Sequence, residues 1–335
     1  MSVNNNLNKK IGVIGSGAWG TALAQSLANS GHEPIVYGHD NSLVEKINES
    51  KKHPSFSNVD INKNILFTFN MNDLIDCDVL LSAIPTQVTT DFWNEHETKF
   101  KKSKAVVICS KGISIKHKDI LSNTLSKSIQ SKLLILSGPT FAKPAVEGMP
   151  MAATIASKNT DISMYIQSLW NSKFLRLYSS TDIIGVQVSG AVKNVIAIAS
   201  GIVMSKNLGL NSLYALITRG LNEITMLGVA MGGNIKTFSG LSGAGDLFLT
   251  CTNDMSRNTK LGIAIGSGET LINATKLSKG ISEGVYTAKI IKDMSIRYDV
   301  EMPICNKICD IVNEKTSIDD AIQSLLNEQN NMKES

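Results

Sequence analysis

No CxxC pair, no apolar leader and no block of like charge occurs in the 335 residues, and each absence removes a class of function. The five cysteines, Cys77, Cys109, Cys251, Cys305 and Cys309, form an odd set without zinc-type spacing, which argues against a disulfide framework and fits a reducing cytoplasm. Cys305 and Cys309 stand at helical spacing, but no other ligand cluster accompanies them, so no metal site is expected. The first ten residues, MSVNNNLNKK, are polar, and no apolar run reaches the ~18 residues of a membrane span, so neither secretion nor integral membrane contact is expected. Basic residues are scattered, with a net charge of +4 and a pI near 8.6. That distribution leaves no electrostatic footprint for nucleic acid while favouring anionic small molecules. Internal repeats and low-complexity tracts are also missing.

What is present is an ordinary globular composition, 42% apolar and 19% charged, in a chain long enough for two domains. The first half alternates β-branched runs with amphipathic segments, as βαβ units with a parallel sheet require. Strands are expected at 10–15, 33–38, 65–69, 78–84, 104–110, 132–138, 151–157 and 173–179. Beyond them the pattern becomes helical, with helices expected at 185–204, 210–231, 256–267, 282–297, 303–313 and 317–326. The change of period predicts an α/β Rossmann domain, with a mostly parallel sheet, over 1–185 and an all-α domain over 186–335. The last eight residues are expected to fray.

The stretch KIGVIGSGAWGTALAQSLANSGHEPIVYGHD places Gly15, Gly17 and Gly20 in GxGxxG spacing, directly after one strand and opening a helix. Gly15 permits a tight turn, Gly17 the close approach of a pyrophosphate, and Gly20 the close packing of helix on strand. The helix N-terminus adds amides and a positive dipole. At the end of the second strand an acid would hold the ribose of NAD, whereas a neutral or cationic group leaves room for a 2′-phosphate. Here His39 and Asp40 come in succession, and the choice depends on register. Pro85 and Lys111 follow two later strands at the carboxyl edge, where such sheets bind ligands, and Gly138 with Thr140 shapes a turn after another.

Between Asp182 and Glu223 there is no acidic residue, yet Lys193 and Asn194 sit in the apolar run SGAVKNVIAIASGIV. A hydride transfer to or from an alcohol carbon needs a group that exchanges the hydroxyl proton, and a lysine serves if burial and neighbouring cations such as Arg257 and Lys111 lower its pKa. Asp246, after a glycine-rich turn, would favour the charged amine and orient it. A structural Lys193–Asp246 salt bridge is the alternative. The SRN sequence at Ser256, Arg257 and Asn258 opens a helix with a guanidinium suited to phosphate.

The strings GSGAWGTALA, SKGI, SGPTFA, GVQVSGAVKNVIAIASGIV, ALITRGLNEI, GLSGAGDLFLTCTNDMSRN and SEGVYTAKII resemble bacterial NAD(P)-dependent glycerol-3-phosphate dehydrogenase over about residues 10–315. The resemblance implies reversible reduction of dihydroxyacetone phosphate to sn-glycerol 3-phosphate, for glycerophospholipid synthesis. It implies Lys193 as the proton-exchanging group with Asn194, Asp246 and Thr250 around it, and Ser256, Arg257 and Asn258 on the substrate phosphate. Lys111, Gly138 and Thr140 match positions lining substrate and nicotinamide. Gly15, Gly17, Ala18, Trp19, Gly20, His39, Pro85, Lys111, Ala142, Arg257, Ile281 and Glu283 match cofactor positions. His39 leans toward acceptance of NADP(H). The chain departs from the family at Pro144, where an acid is common, at Ala18, where serine is frequent, and at Ala244, where leucine is usual. A homodimer is expected. Two other readings stay open: a hydroxyacid or ketopantoate-type reductase with a carboxylate substrate, and a nucleotide-sensing module without turnover.

Overall fold

The computed structural model describes residues 9–130, 132–170, 174–278 and 282–327. Ile281 and the tail 328–335, both subjects of the expectations above, lie outside the described residues. The chain divides into two compact units: the first runs to Lys111 and continues through Leu121–Val186, and the second takes Gly112–Ile120 and the chain from Gln187 onward.

The first unit is built on an eight-stranded sheet of β1 (Ile11–Ile14), β2 (Ile35–Tyr37), β3 (Leu66–Thr68), β4 (Val79–Ser82), β5 (Ala105–Ile108), and, after the hairpin strands β6 (Ile113–Ser114) and β7 (Asp119–Ile120) of the second unit, β8 (Leu133–Ser137), β9 (Met151–Ala156) and β10 (Leu175–Ser180). All eight strands expected from the sequence are present. Their order is β10-β9-β8-β5-β4-β1-β2-β3, parallel except where β8 meets β9. The central strands β1, β4, β5 and β8 are buried on both faces, which is why they read as continuous apolar runs. Alternate side chains feed two separate cores: Ile11, Val13, Val79, Leu81, Val107 and Leu134 point into one, and Ile14, Leu80, Val106, Ile108 and Ile135 into the other. The order reverses between β1 and β4, the position at which sheets of this kind open a ligand crevice at their carboxyl ends.

Apart from the β6–β7 hairpin, the second unit is helical. The six helices expected there are observed as Ile183–Ser205, Gly209–Ala230, Arg257–Gly266, Glu283–Arg297, Pro303–Val312 and Ile318–Asn327. Helix Ile183–Ser205, which spans the unit boundary, corrects one expectation: at 23 residues it is long and apolar enough to cross a bilayer by length and composition. Most of it is nevertheless buried inside the protein, as in a core helix. Glycines let its neighbour approach closely, since a Cβ at Gly262 would lie 2.0 Å from the Ile198 carbonyl oxygen and one at Gly201 2.2 Å from that of Thr259. Glu223 lies buried in the Gly209–Ala230 helix and accepts from the N–H groups of Ile304 (2.7 Å) and Cys305 (3.0 Å), capping the helix that Pro303 opens. Burial pushes its carboxyl up to about 7.

Candidate active site

The glycine loop of the first unit constrains each glycine differently. Gly15 has φ +115°, donates to the Tyr37 carbonyl at 2.8 Å, and leaves no room for a Cβ, which would meet Ala83 O at 2.9 Å. A Cβ on Gly20 would sit 1.9 Å from Gly15 O, so the helix Ala18–Asn29 can pack on β1 only through glycine. Gly17, at the N-cap, faces open space: an added Cβ would touch nothing within 4 Å. That opening, at a helix N-terminus with no acidic residue in its first turn, is a cradle a side chain would fill and a pyrophosphate fits.

A residue not singled out in the sequence braces this loop. His53 is buried; its Nδ1 accepts from Ser55 N (3.0 Å), so its Nε2 carries the hydrogen and donates to Ser16 O at 3.1 Å. Burial holds its pKa below the ordinary value, favouring the neutral ring that the bond accepted from Ser55 N needs. A histidine in an unremarkable loop carries no sequence signal for such a contact.

At the end of β2, Gly38 lies against Ser16, a Cβ there falling 2.2 Å from Ser16 Oγ. His39 and Asp40 follow, both exposed. The Asp40 carboxylate accepts from Leu43 N at 3.1 Å and caps the helix Asn41–Ser50, so the acid is engaged locally and His39 stands first after the turn. Pro85 sits at the start of helix Thr86–His96 and Ala142 opens Ala142–Val146. Trp19 packs against the sheet core with its indole nitrogen buried and without a hydrogen-bond partner among the described residues. Lys111, Gly138 and Thr140 converge: Lys111 Nζ donates to Gly138 O at 2.8 Å and reaches Thr140 Oγ1 at 3.4 Å.

In the second unit the lysine finds its partner. Lys193, 5% exposed, donates from Nζ to Asp246 Oδ1 at 2.5 Å and to Thr250 Oγ1 at 2.7 Å, and Thr250 Oγ1 in turn donates to Asp246 O at 2.6 Å. The salt bridge held as the alternative reading is therefore present. The same contacts fix the amine's position. Asp246 and Thr250 share one face of the short helix Asp246–Cys251, one turn apart. The helix is launched by a π-helical turn, Leu241–Gly245, in which a Cβ on Gly243 would lie 2.1 Å from Phe238 O. The segment reads in the sequence as a glycine-rich turn, and nothing in it marks either helical piece.

Ser256 caps the helix Arg257–Gly266, its Oγ accepting from Thr259 N at 3.2 Å. This leaves Arg257 exposed at the first helical position and Asn258 buried at the second. Thr259 Oγ1 donates to Thr250 O (2.8 Å) and Asn258 Nδ2 to Asn194 Oδ1 (2.9 Å), tying the two clusters together. Glu283 begins the helix Glu283–Arg297. A cavity of about 570 Å³ between Glu269–Leu271 and Glu314–Ile318 is lined by none of these residues.

The comparisons with known proteins agree across both units. The family model described as NAD-dependent glycerol-3-phosphate dehydrogenase N-terminus matches residues 10–163, and the corresponding C-terminus model matches 182–323. A glycerol-3-phosphate dehydrogenase (NAD(P)+) of Parvibaculum lavamentivorans is 37% identical over 320 residues, 95% of this chain and 96% of the relative. One from Fusobacterium nucleatum is 35% identical over 323 residues. The crystal structure of a glycerol-3-phosphate dehydrogenase from Coxiella burnetii superposes with a TM-score of 0.90 at 28% identity, covering 96% of this chain and 99% of that one. The chain belongs to the NAD(P)-dependent glycerol-3-phosphate dehydrogenase family.

Proposed function

We propose that the chain reduces dihydroxyacetone phosphate reversibly to sn-glycerol 3-phosphate with NADH or NADPH, as a cytoplasmic homodimer supplying glycerophospholipid synthesis. The buried Lys193–Asp246–Thr250 triangle carries this reading. A nicotinamide held there would supply the hydride. Gly15, Gly17, Ala18, Trp19, Gly20, Pro85 and Ala142 would hold the cofactor, and Glu283 and Ile281 are further candidate contacts. As hydride reaches the substrate carbon, the Lys193 ammonium donates a proton to the carbonyl oxygen; in the oxidative direction the amine takes it back. Asp246 favours the ammonium and aims it, Thr250 fixes a second hydrogen, and Asn194 holds the adjoining turn. Arg257 and Asn258 take the phosphate, helped by the helix N-terminus that Ser256 caps. Lys111, steadied by Gly138 and Thr140, supplies a further cation for the substrate.

Because both halves of the chain match one dehydrogenase family, a carboxylate-specific reductase is not favoured. Cofactor choice is finer. With Asp40 engaged as a helix cap and His39 exposed beside the loop, a 2′-phosphate is tolerated and NADPH is slightly preferred. The test follows nucleotide absorbance with dihydroxyacetone phosphate and either NADH or NADPH. Oxidation of both, somewhat faster at low NADPH, supports the reading, and oxidation of neither contradicts it. Arg257→Ala should raise KM for the phosphorylated ketone about ten- to a hundredfold with kcat much less affected, the expected loss of one charge-assisted contact.

A further inference from the structure

A cap has been moved from its ordinary place at the start of helix Glu283–Arg297. Ser282 occupies the N-cap, where its hydroxyl would normally accept from the second or third helical N–H, yet it caps nothing. Its Oγ is buried with no hydrogen-bond partner among the described residues. The second helical N–H, that of Gly284, instead donates to Asn258 Oδ1 at 3.1 Å, from a different helix. With that oxygen occupied, Asn258 Nδ2 faces Asn194 Oδ1 at 2.9 Å, and Asn194 Nδ2 donates to Gly190 O at 3.3 Å. The line runs from a backbone N–H to a backbone carbonyl, so the orientation of both amides is determined by the end groups rather than by free rotation.

The fit is too tight for any other residue. A Cβ on Gly284 would stand 2.6 Å from Asn194 O and 2.7 Å from Asn258 Oδ1. The φ of Gly284 is not among the positive ones, so the requirement for glycine comes from close approach and not from backbone conformation.

We propose that Gly284 is a positioning residue: its N–H holds the Asn258 amide with the donor nitrogen turned toward Asn194 and the substrate phosphate. This rests on the reading above that Asn258 meets that phosphate. A phosphate only accepts, so an amide turned the other way would present oxygen to oxygen. Asn258 Nδ2 carries two hydrogens and Asn194 takes one, which leaves the other for the ligand.

The test is a double-mutant cycle in the full-length enzyme, measuring KM and kcat for dihydroxyacetone phosphate and, independently of turnover, the Kd of glycerol 3-phosphate by calorimetry. Gly284→Ala should raise KM and Kd at least about tenfold with kcat changed far less. On an Asn258→Ala background the same substitution should raise KM and Kd by a clearly smaller factor, the remainder coming from its approach to Asn194 O, which both backgrounds share. A purely structural role would lower kcat or thermal stability and would act equally on both backgrounds. Should Gly284→Ala fail to fold, Asn258→Asp decides: it still accepts from Gly284 N–H but offers no hydrogen to Asn194 or to phosphate, so its KM and Kd should rise at least as much as in Asn258→Ala. Additive effects in the cycle, or wild-type constants for Asn258→Asp, overturn the proposal. Failure of the wild-type enzyme to bind or reduce the substrate overturns the functional reading itself.

Discussion

At the residue scale an amine and a carboxylate, Lys193 and Asp246, are kept together out of water. Removing Lys193 and Asp246 from solvent is costly, and their attraction offsets that cost only because Thr250 satisfies a further hydrogen and the geometry is close. Asp246→Ala should therefore cost about 3–5 kcal/mol of stability, read by chemical denaturation, since it leaves a buried cation uncompensated. Asp246→Asn, which keeps shape and one acceptor, should cost less stability while still depressing turnover. His53 makes a separate prediction through pH. Its folded-state pKa lies below the ordinary 6.5, so as pH falls below that value the unfolded chain takes up a proton that the folded ring resists. Stability present above 6.5 should be lost progressively on acidification. His53→Leu should lack this component, so a urea-denaturation series should show the gap between wild type and variant narrowing as pH falls. The same variant should bind NAD(P)H more weakly, because Ser16 O loses its brace.

At the element scale, positions in the second unit depend on how closely helices approach. Gly201 and Gly262 let the Arg257–Gly266 helix lie against Ile183–Ser205, and this contact places Asn258 against Asn194. Gly262→Ala should destabilise by roughly 3 kcal/mol, at the upper end of overpacking costs, and should raise KM for the phosphorylated substrate by displacing Asn258. Thermal denaturation alongside steady-state kinetics checks both halves of the prediction. The long helices were legible because their apolar period persists over many residues. The π-turn Leu241–Gly245 and the short helices Ile235–Phe238, Asp246–Cys251 and Leu271–Leu277 were not, since a turn or two of helix has no period to read. Glu223 shows the same limit: the sequence places an acid on a helix, but nothing local marks the N–H groups of Ile304 and Cys305, some eighty residues on, as its partners.

At the scale of the whole molecule, the sheet was readable from its strands because parallel strands buried on both faces leave continuous apolar runs, and the glycine loop because three glycines with different constraints leave fixed spacing. The excursion of Gly112–Ile120 into the second unit was not readable: its strands are two residues each, and its membership is decided by distant contacts such as Lys118 to Asp293 at 2.5 Å and Arg297 to the Lys118 carbonyl at 3.1 Å. The Lys193 site was half legible. A lysine without local acids signals that something distant must meet it, but the choice among candidates needed the fold. The proposed function unites the scales: in it, the ion pair and hydrogen bonds at Lys193 hold one ammonium group where a carbonyl oxygen can take its proton. The most direct test is the turnover of Lys193→Ala with dihydroxyacetone phosphate and NADPH, set beside its NADPH affinity from nucleotide fluorescence. The account predicts nearly unchanged nucleotide binding with turnover reduced by at least about a thousandfold, within the range of lost acid–base catalysis. Turnover near the wild-type value would contradict it.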